Sequence, residues 1–138
     1  MIYAVNYLAV LVAGLVGVGL GALWYSPKVF GMKWMQWSGI TPKMTPDGKP
    51  QGMGKAYTVG AVASLVTAYV LAIIIALSGA FTISGAFAIA FWVWLGFFAA
   101  PMTGIVLWEM KSWKLWALNA GYFLVDLVVM SLILAWWV

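Results

Sequence analysis

An all-α fold, a polytopic bundle of four membrane-spanning helices, is what this sequence predicts, and three observations carry the prediction. First, the 138 residues are 66% hydrophobic and 7% charged, against about 45–50% and about 25% in an ordinary soluble domain. Seven lysines and three acids supply too little polar surface for a soluble chain of this length. Second, the charges cluster and leave long gaps: 2–27 and 56–108 carry none, and 115–138 carries only Asp126. Third, the apolar runs are unbroken, whereas a membrane β-strand alternates over about ten residues.

The elements follow in order. A spanning helix needs about 20 apolar residues at about 1.5 Å each, so the first gap predicts one crossing, at about 3–25. Secretory signals begin with a positively charged stretch, and here the first lysine is Lys28, after the apolar run. The segment is therefore expected to be a mature helix. Residues 26–55 form the next connection. Within it Phe30, Trp34 and Trp37 recur at helical spacing, which predicts a short interfacial helix started by Ser26-Pro27. An aromatic belt on an irregular loop is the other reading of the same residues. The stretch 41–54, rich in proline and glycine, is expected to be an exposed loop. The middle gap fits two crossings, at about 56–77 and 85–108, separated by the glycine and serine punctuation of Ser78–Gly85. The last crossing is expected at about 115–137, and the whole of 1–138 makes one membrane domain.

Lysine counting predicts the orientation. All seven lysines fall in the first connection or in the one between the third and fourth helices. Both connections are thus expected in the cytoplasm, with the N-terminus and C-terminus outside. A sequence pI near 9.5 does not predict nucleic acid here, because the lysines are scattered beside the bilayer, where anionic headgroups attract them. The expected partners are the lipid bilayer, further copies of the chain in a homo-oligomer, and a second membrane protein.

With no cysteine and no histidine, disulfides, thiol nucleophiles, haem attachment, most transition-metal sites and the Ser-His-Asp arrangement are excluded. No metal, cofactor or catalytic residue is expected. Asp126 most needs explaining. It lies twelve residues beyond Lys114, about 18 Å along the helix, near the bilayer midplane. An aspartate there costs about 2.5–3.5 kcal/mol on insertion scales, and such groups usually face a bundle interior or a cavity. Asn119 and Tyr122 share its face, while helix two offers Tyr57, Gly60, Ser64 and Thr67 along one stripe. No cation is available within the membrane. The expected partners of the carboxyl are the hydroxyls of Ser64 and Thr67 or the indole N–H of Trp94. Its functional reading is a proton-binding or substrate-binding group. The structural reading is a protonated aspartate in an interhelical hydrogen bond, a bond that averages about 0.6 kcal/mol.

Small residues mark the packing faces. Gly14, Gly17 and Gly21 line one side of helix one, and Ser64, Ala68, Ala72 and Ala76 repeat every fourth residue on helix two. Such surfaces let helices approach closely in lipid, within the bundle or between copies. Pro101 should kink helix three and free a backbone carbonyl. Glu109 sits beside Lys111 and Lys114, where a surface ion pair is expected. Helices one and three each end in tryptophan followed by lysine, the trace of a weak parallel repeat of two hairpins.

The run Gly21-Ala22-Leu23-Trp24-Tyr25-Ser26-Pro27, followed by Phe30-Gly31 and Trp34, is distinctive. With Met53-Gly54-Lys55-Ala56, Trp94-Leu95-Gly96-Phe97 and Trp113-Lys114-Leu115 leading to Asn119-Ala120-Gly121-Tyr122, the chain resembles, end to end, the bacterial membrane family catalogued as domain of unknown function 1761. The resemblance implies a small four-helix inner-membrane protein and brings no activity with it. The expected function is a non-enzymatic oligomerising or accessory membrane module. The alternative is a small proton-coupled transporter or binding protein that uses Asp126. An intramembrane enzyme fits least, because general acid–base chemistry wants paired groups within hydrogen-bond reach, and Asp126 and Glu109 lie at different depths.

Overall fold

The fold was obtained as a computed structural model and is described over residues 5–26, 28–38 and 53–137. Pro27 of the expected Ser26-Pro27 start, most of the expected loop at 41–54 and the first residues of the expected first helix lie outside the described residues. Every regular element among the described residues is helical: α1 (Tyr7–Trp24), α2 (Gly31–Ser38), α3 (Met53–Ser78), α4 (Ile83–Trp94), a π turn (Leu95–Ala99), α5 (Ala100–Leu107) and α6 (Trp113–Trp136). Since α4, the π turn and α5 run on without a break, four stretches are long and apolar enough to cross a membrane: 7–24, 54–78, 83–107 and 113–136.

Local chemistry sets the helix ends. The Asn6 side chain accepts from the Leu8 and Ala9 N–H groups at 3.1 and 3.2 Å and so caps α1. Thr82 caps α4 through the Gly85 N–H, and Ser112 caps α6 through the Leu115 N–H. Helix α3 stops at Gly79, whose φ of +70° turns the chain so that the Gly79 and Ala80 N–H groups both reach the Ile75 carbonyl. After α1 the chain doubles back tightly into α2, and the Phe30 and Gly31 N–H groups bond to the carbonyls of Trp24 and Ser26. A Cβ on Gly31 would strike the Tyr25 and Ser26 backbone, so only glycine fits where this turn closes.

Pro101 perturbs the third span one turn before itself. Its ring would press on the carbonyl four residues back, and it offers no N–H. The helix widens over Leu95–Ala99 instead, with the Ala100 N–H reaching back to the Leu95 carbonyl. The Ala99 carbonyl receives the Trp116 indole N–H at 3.1 Å, which ties the irregular turn to α6. Pro101→Ala should let residues 95–99 return to α geometry and loosen that bond. Faster exchange of the Trp116 indole proton would show this, and an unchanged rate would assign the π turn to another cause.

The tertiary arrangement centres on α6. It packs on α1, α3 and α4 and touches α2 and α5, whereas α3 and α4 barely meet each other. In its apolar window 39% of residues are buried, against 17% for α3 and for the third span. The core joins Ala9 and Ala13 of α1, Ala68, Leu71 and Ile75 of α3, Ala90 of α4, and Leu127, Met130 and Leu134 of α6. The outer faces stay apolar: Val59, Val66, Trp92 and Phe97 are all exposed, as helices surrounded by lipid require. Two hydrogen bonds fix the ends. Lys111 Nζ donates to the Ser38 carbonyl at 2.8 Å and brings the two lysine-bearing connections together. Asn6 Nδ2 donates to the Trp137 carbonyl at 3.3 Å and joins the opposite ends of α1 and α6.

Candidate functional site

Glycines on α1 create the site. Gly14 lies so close to α3 that a Cβ there would sit 2.5 Å from Leu65 Cδ2 and 3.1 Å from the Leu65 Cα. One turn on, a Cβ at Gly17 would sit 2.5 Å from Ser64 Oγ, 2.6 Å from Met130 Cε and 2.9 Å from Asp126 Oδ1. One more turn on, Gly21 faces the Tyr122 hydroxyl, 3.1 Å from where a Cβ would stand. The glycine stripe therefore faces inward and meets α3 and α6 within the same chain. Ala68, fully buried, and Ala72, packed against the core, continue the α3 side of that contact.

Around Gly17 the polar groups of three helices converge. Ser64 Oγ donates to the Gly14 carbonyl at 2.8 Å. Tyr122 Oη donates to the Gly17 carbonyl at 3.0 Å. Tyr25 Oη donates to Asn119 Oδ1 at 2.7 Å, and its ring meets that of Tyr122 edge-on at 5.5 Å. Burial raises the Tyr25 phenol above its ordinary pKa, with Tyr122 adding to the shift, so Tyr25 remains a neutral donor. Asp126 itself is 6% exposed, and its Oδ1 has no hydrogen-bond partner among the described residues. A buried carboxylate oxygen left in this state is unusual enough to need a reason.

The structure brings together Asp126, Tyr122 and Ser64, with Asn119 joined to the group through Tyr25. None of the three expected partners bonds the carboxyl: Ser64 gives its proton to the Gly14 carbonyl, and Thr67 and Trp94 bond elsewhere. Thr67 Oγ1 donates to the Ala63 carbonyl of its own helix at 2.9 Å. Trp94 Nε1 donates to the Ala120 carbonyl at 2.7 Å. Packing turns both to other partners than the carboxyl. The sequence reading did not find Gly17 and Met130 as neighbours of Asp126, nor the role of the indoles. Trp24 and Trp94 both donate into carbonyls of α6, at Leu118 and Ala120, and act as staples between helices. Nothing in the sequence positions of these tryptophans signals such bonds.

A cleft of about 460 Å³ opens beside this cluster, between α1 and α3, with Tyr122 at its back and Trp34 of α2 at its rim. Gly17, Gly21, Gly60 and Ser64 line it, together with Tyr25 and Tyr57. Gly17 and Ser64 thus line the cleft, and a Cβ at Gly17 would lie 2.9 Å from Asp126 Oδ1, so the carboxyl sits against Gly17 without itself lining the cleft. The group can recognise a molecule through aromatic faces, hydroxyl oxygens and one buried carboxyl. Among the described residues no cluster of three acids, histidines or cysteines could hold a metal ion.

Fold and site together define a small multi-pass helical membrane bundle with an acid in its core. Residues 8–135 match the family described as Protein of unknown function (DUF1761), and the chain belongs to that family. No curated protein and no solved structure matches the chain.

Proposed function

We propose that this chain is a non-enzymatic binding protein of a bacterial cytoplasmic membrane, taking a small, largely apolar molecule into the cleft between α1 and α3. Its lysine-bearing end faces the cytoplasm and its termini face outward, as the positive-inside rule directs. One observation carries the reading: Asp126 is buried, its Oδ1 is unpartnered among the described residues, and it lies against Gly17, which lines the cleft. An intramembrane acid without a structural partner favours a functional role. The carboxyl there holds either a proton or a positive charge brought by a ligand, which is the basis of proton-coupled binding. A catalytic role lacks support, since Glu109 is exposed in the α5–α6 connection and is no acid–base partner for Asp126.

Native mass spectrometry of protein extracted gently from its own membrane tests this. A reproducible small-molecule adduct is expected on the parent and should be absent from Asp126→Asn, which keeps the volume of the side chain and the helical circular dichroism. An adduct retained by Asp126→Asn, or no adduct on either protein, would sink the reading.

A second reading, the oligomerising or accessory module, is favoured by a different feature. Because α3 and α4 barely meet, an apolar groove of about 390 Å³ lies between them, lined by residues such as Val66, Val70, Ile74, Val93 and Phe97. A neighbouring helix fits such a groove. The same spectra report the outcome as a multiple of the chain mass or as a complex with another protein.

A further inference from the structure

We propose that the molecule the cleft takes is a lipophilic organic cation; this rests on reading the cleft as a binding site. Size and lining set the first half of the description. About 460 Å³ falls within the range of small-molecule sites, about 300–1,000 Å³. The walls are mostly apolar, with Val18 and Ala22 beside the aromatic side chains, so the greater part of the ligand is apolar too.

Charge sets the second half. Among the described residues no lysine lines the cleft. Of the described lysines at that end, Lys111 is bonded to Ser38, and Lys33 and Lys114 stand about 6 Å from the Trp37 ring. Lys28 and Lys55 are exposed, Lys55 next to the lining residue Ala56. Among the described residues the one ionisable acid beside the cleft is Asp126, and Tyr122 on the same helix is its titratable neighbour, while α1 presents Gly17 and α3 presents Ser64.

The hydroxyl protons point the same way. Ser64, Tyr25 and Tyr122 all line the cleft, and each has its proton committed, to the Gly14 carbonyl, Asn119 and the Gly17 carbonyl respectively. An anion would find no donor in these three groups, and of the other described lining side chains only the Tyr57 hydroxyl and the Trp34 indole N–H could donate to it. A cation finds their oxygen lone pairs, the faces of Tyr25, Trp34, Tyr57 and Tyr122, and the carboxyl behind Gly17. Aromatic faces attract cations most when water is excluded, and an apolar wall offers nothing to replace the hydration shell of a small inorganic ion.

Tetraphenylphosphonium and tetraphenylborate, which share a shape and differ in sign, make the test. Binding of each to the full chain in lipid nanodiscs is measured by quenching of tryptophan emission, with partition into empty nanodiscs subtracted. The phosphonium is expected to bind at least tenfold more tightly than the borate. Asp126→Asn should weaken it at least tenfold, and Gly60→Leu should block it. Gly60 lines the cleft with nothing within 4 Å of a Cβ built there, so the added side chain fills the cleft without disturbing the packing. Equal binding of both ions, blocked by Gly60→Leu, would overturn the cation inference and leave the cleft as a binding site. Phosphonium binding that survives Asp126→Asn would do the same. Binding insensitive to Gly60→Leu, or no binding of either ion, would remove both.

Discussion

Gly17→Val should cost this protein about 3 kcal/mol of stability, the upper end of what overpacking a core takes. A Cβ at this position falls within 3 Å of Ser64 Oγ, Met130 Cε and Asp126 Oδ1 at once. Met130 Cε is the end of a flexible chain and can swing aside. Ser64 Oγ cannot move freely, because its bond to the Gly14 carbonyl holds it, and Asp126 is packed on α6. To admit valine, α1 must move off both α3 and α6, and the Tyr122 bond to the Gly17 carbonyl goes with it. Unfolding in mixed micelles with rising dodecyl sulfate, followed by tryptophan emission, measures the loss. Gly19→Val serves as the control, since nothing lies within 4 Å of a Cβ there, and it should change stability by less than about 0.5 kcal/mol. Equal stability of the two variants would mean that α1 does not approach α6 as described.

Truncating the core should distinguish sites that lipid can refill from sites it cannot. Ile75 and Leu127 are both 1% exposed. Ile75 packs in the core cluster with Ala9 and Leu134, where only a small void borders it. Leu127 forms the floor of the groove between α3 and the third span. Replacing a buried leucine or isoleucine by alanine costs about 2–5 kcal/mol, with the value set by how well the site collapses. Ile75→Ala should fall near the upper half of that range. Leu127→Ala should cost about 2 kcal/mol, because an acyl chain can follow the groove into the vacated space and restore part of the dispersion contact. The same micelle titration ranks them, and a larger loss for Leu127→Ala would contradict an open groove.

The spans were readable because lysines stay out of hydrocarbon: the gaps between lysine clusters mark all four apolar stretches to within a few residues. The α3–α4 turn was equally plain, since Gly79 has to take a positive φ and Thr82 a cap. The helical spacing of Phe30, Trp34 and Trp37 corresponds to α2, with Phe30 just before its first residue. Residue counting places Asp126 near the midplane, and Ser64, Thr67 and Trp94 are the side chains the sequence offers as its partners. Direction around the helix axis does not follow from counting when every face is apolar. Packing decides it: Ser64 faces the same glycine as the carboxyl but bonds the Gly14 carbonyl, and Thr67 and Trp94 bond elsewhere. The glycine stripe announced close approach without saying to what. That it frames Asp126 appears only when α1 and α6 are set side by side. The π turn was legible only as trouble near Pro101, one turn from where it falls.

The central place of α6 bears on how the chain is made. Segments enter the membrane in the order of synthesis, so α1, α3 and the third span are all inserted before α6 is. The third span makes little contact with α3, so it has no firm place to dock until the last strut arrives. Until then the newborn protein is one paired hairpin and one loose rod, with the inner faces of both turned to lipid. Assembly is therefore an end-loaded event: α6 carries Asp126 inward and makes most of the long contacts in the same step. A ribosome that stalls before Trp113, or a lesion that delays insertion of α6, leaves an intermediate with the α1–α3 pairing in place and the third span without its partner.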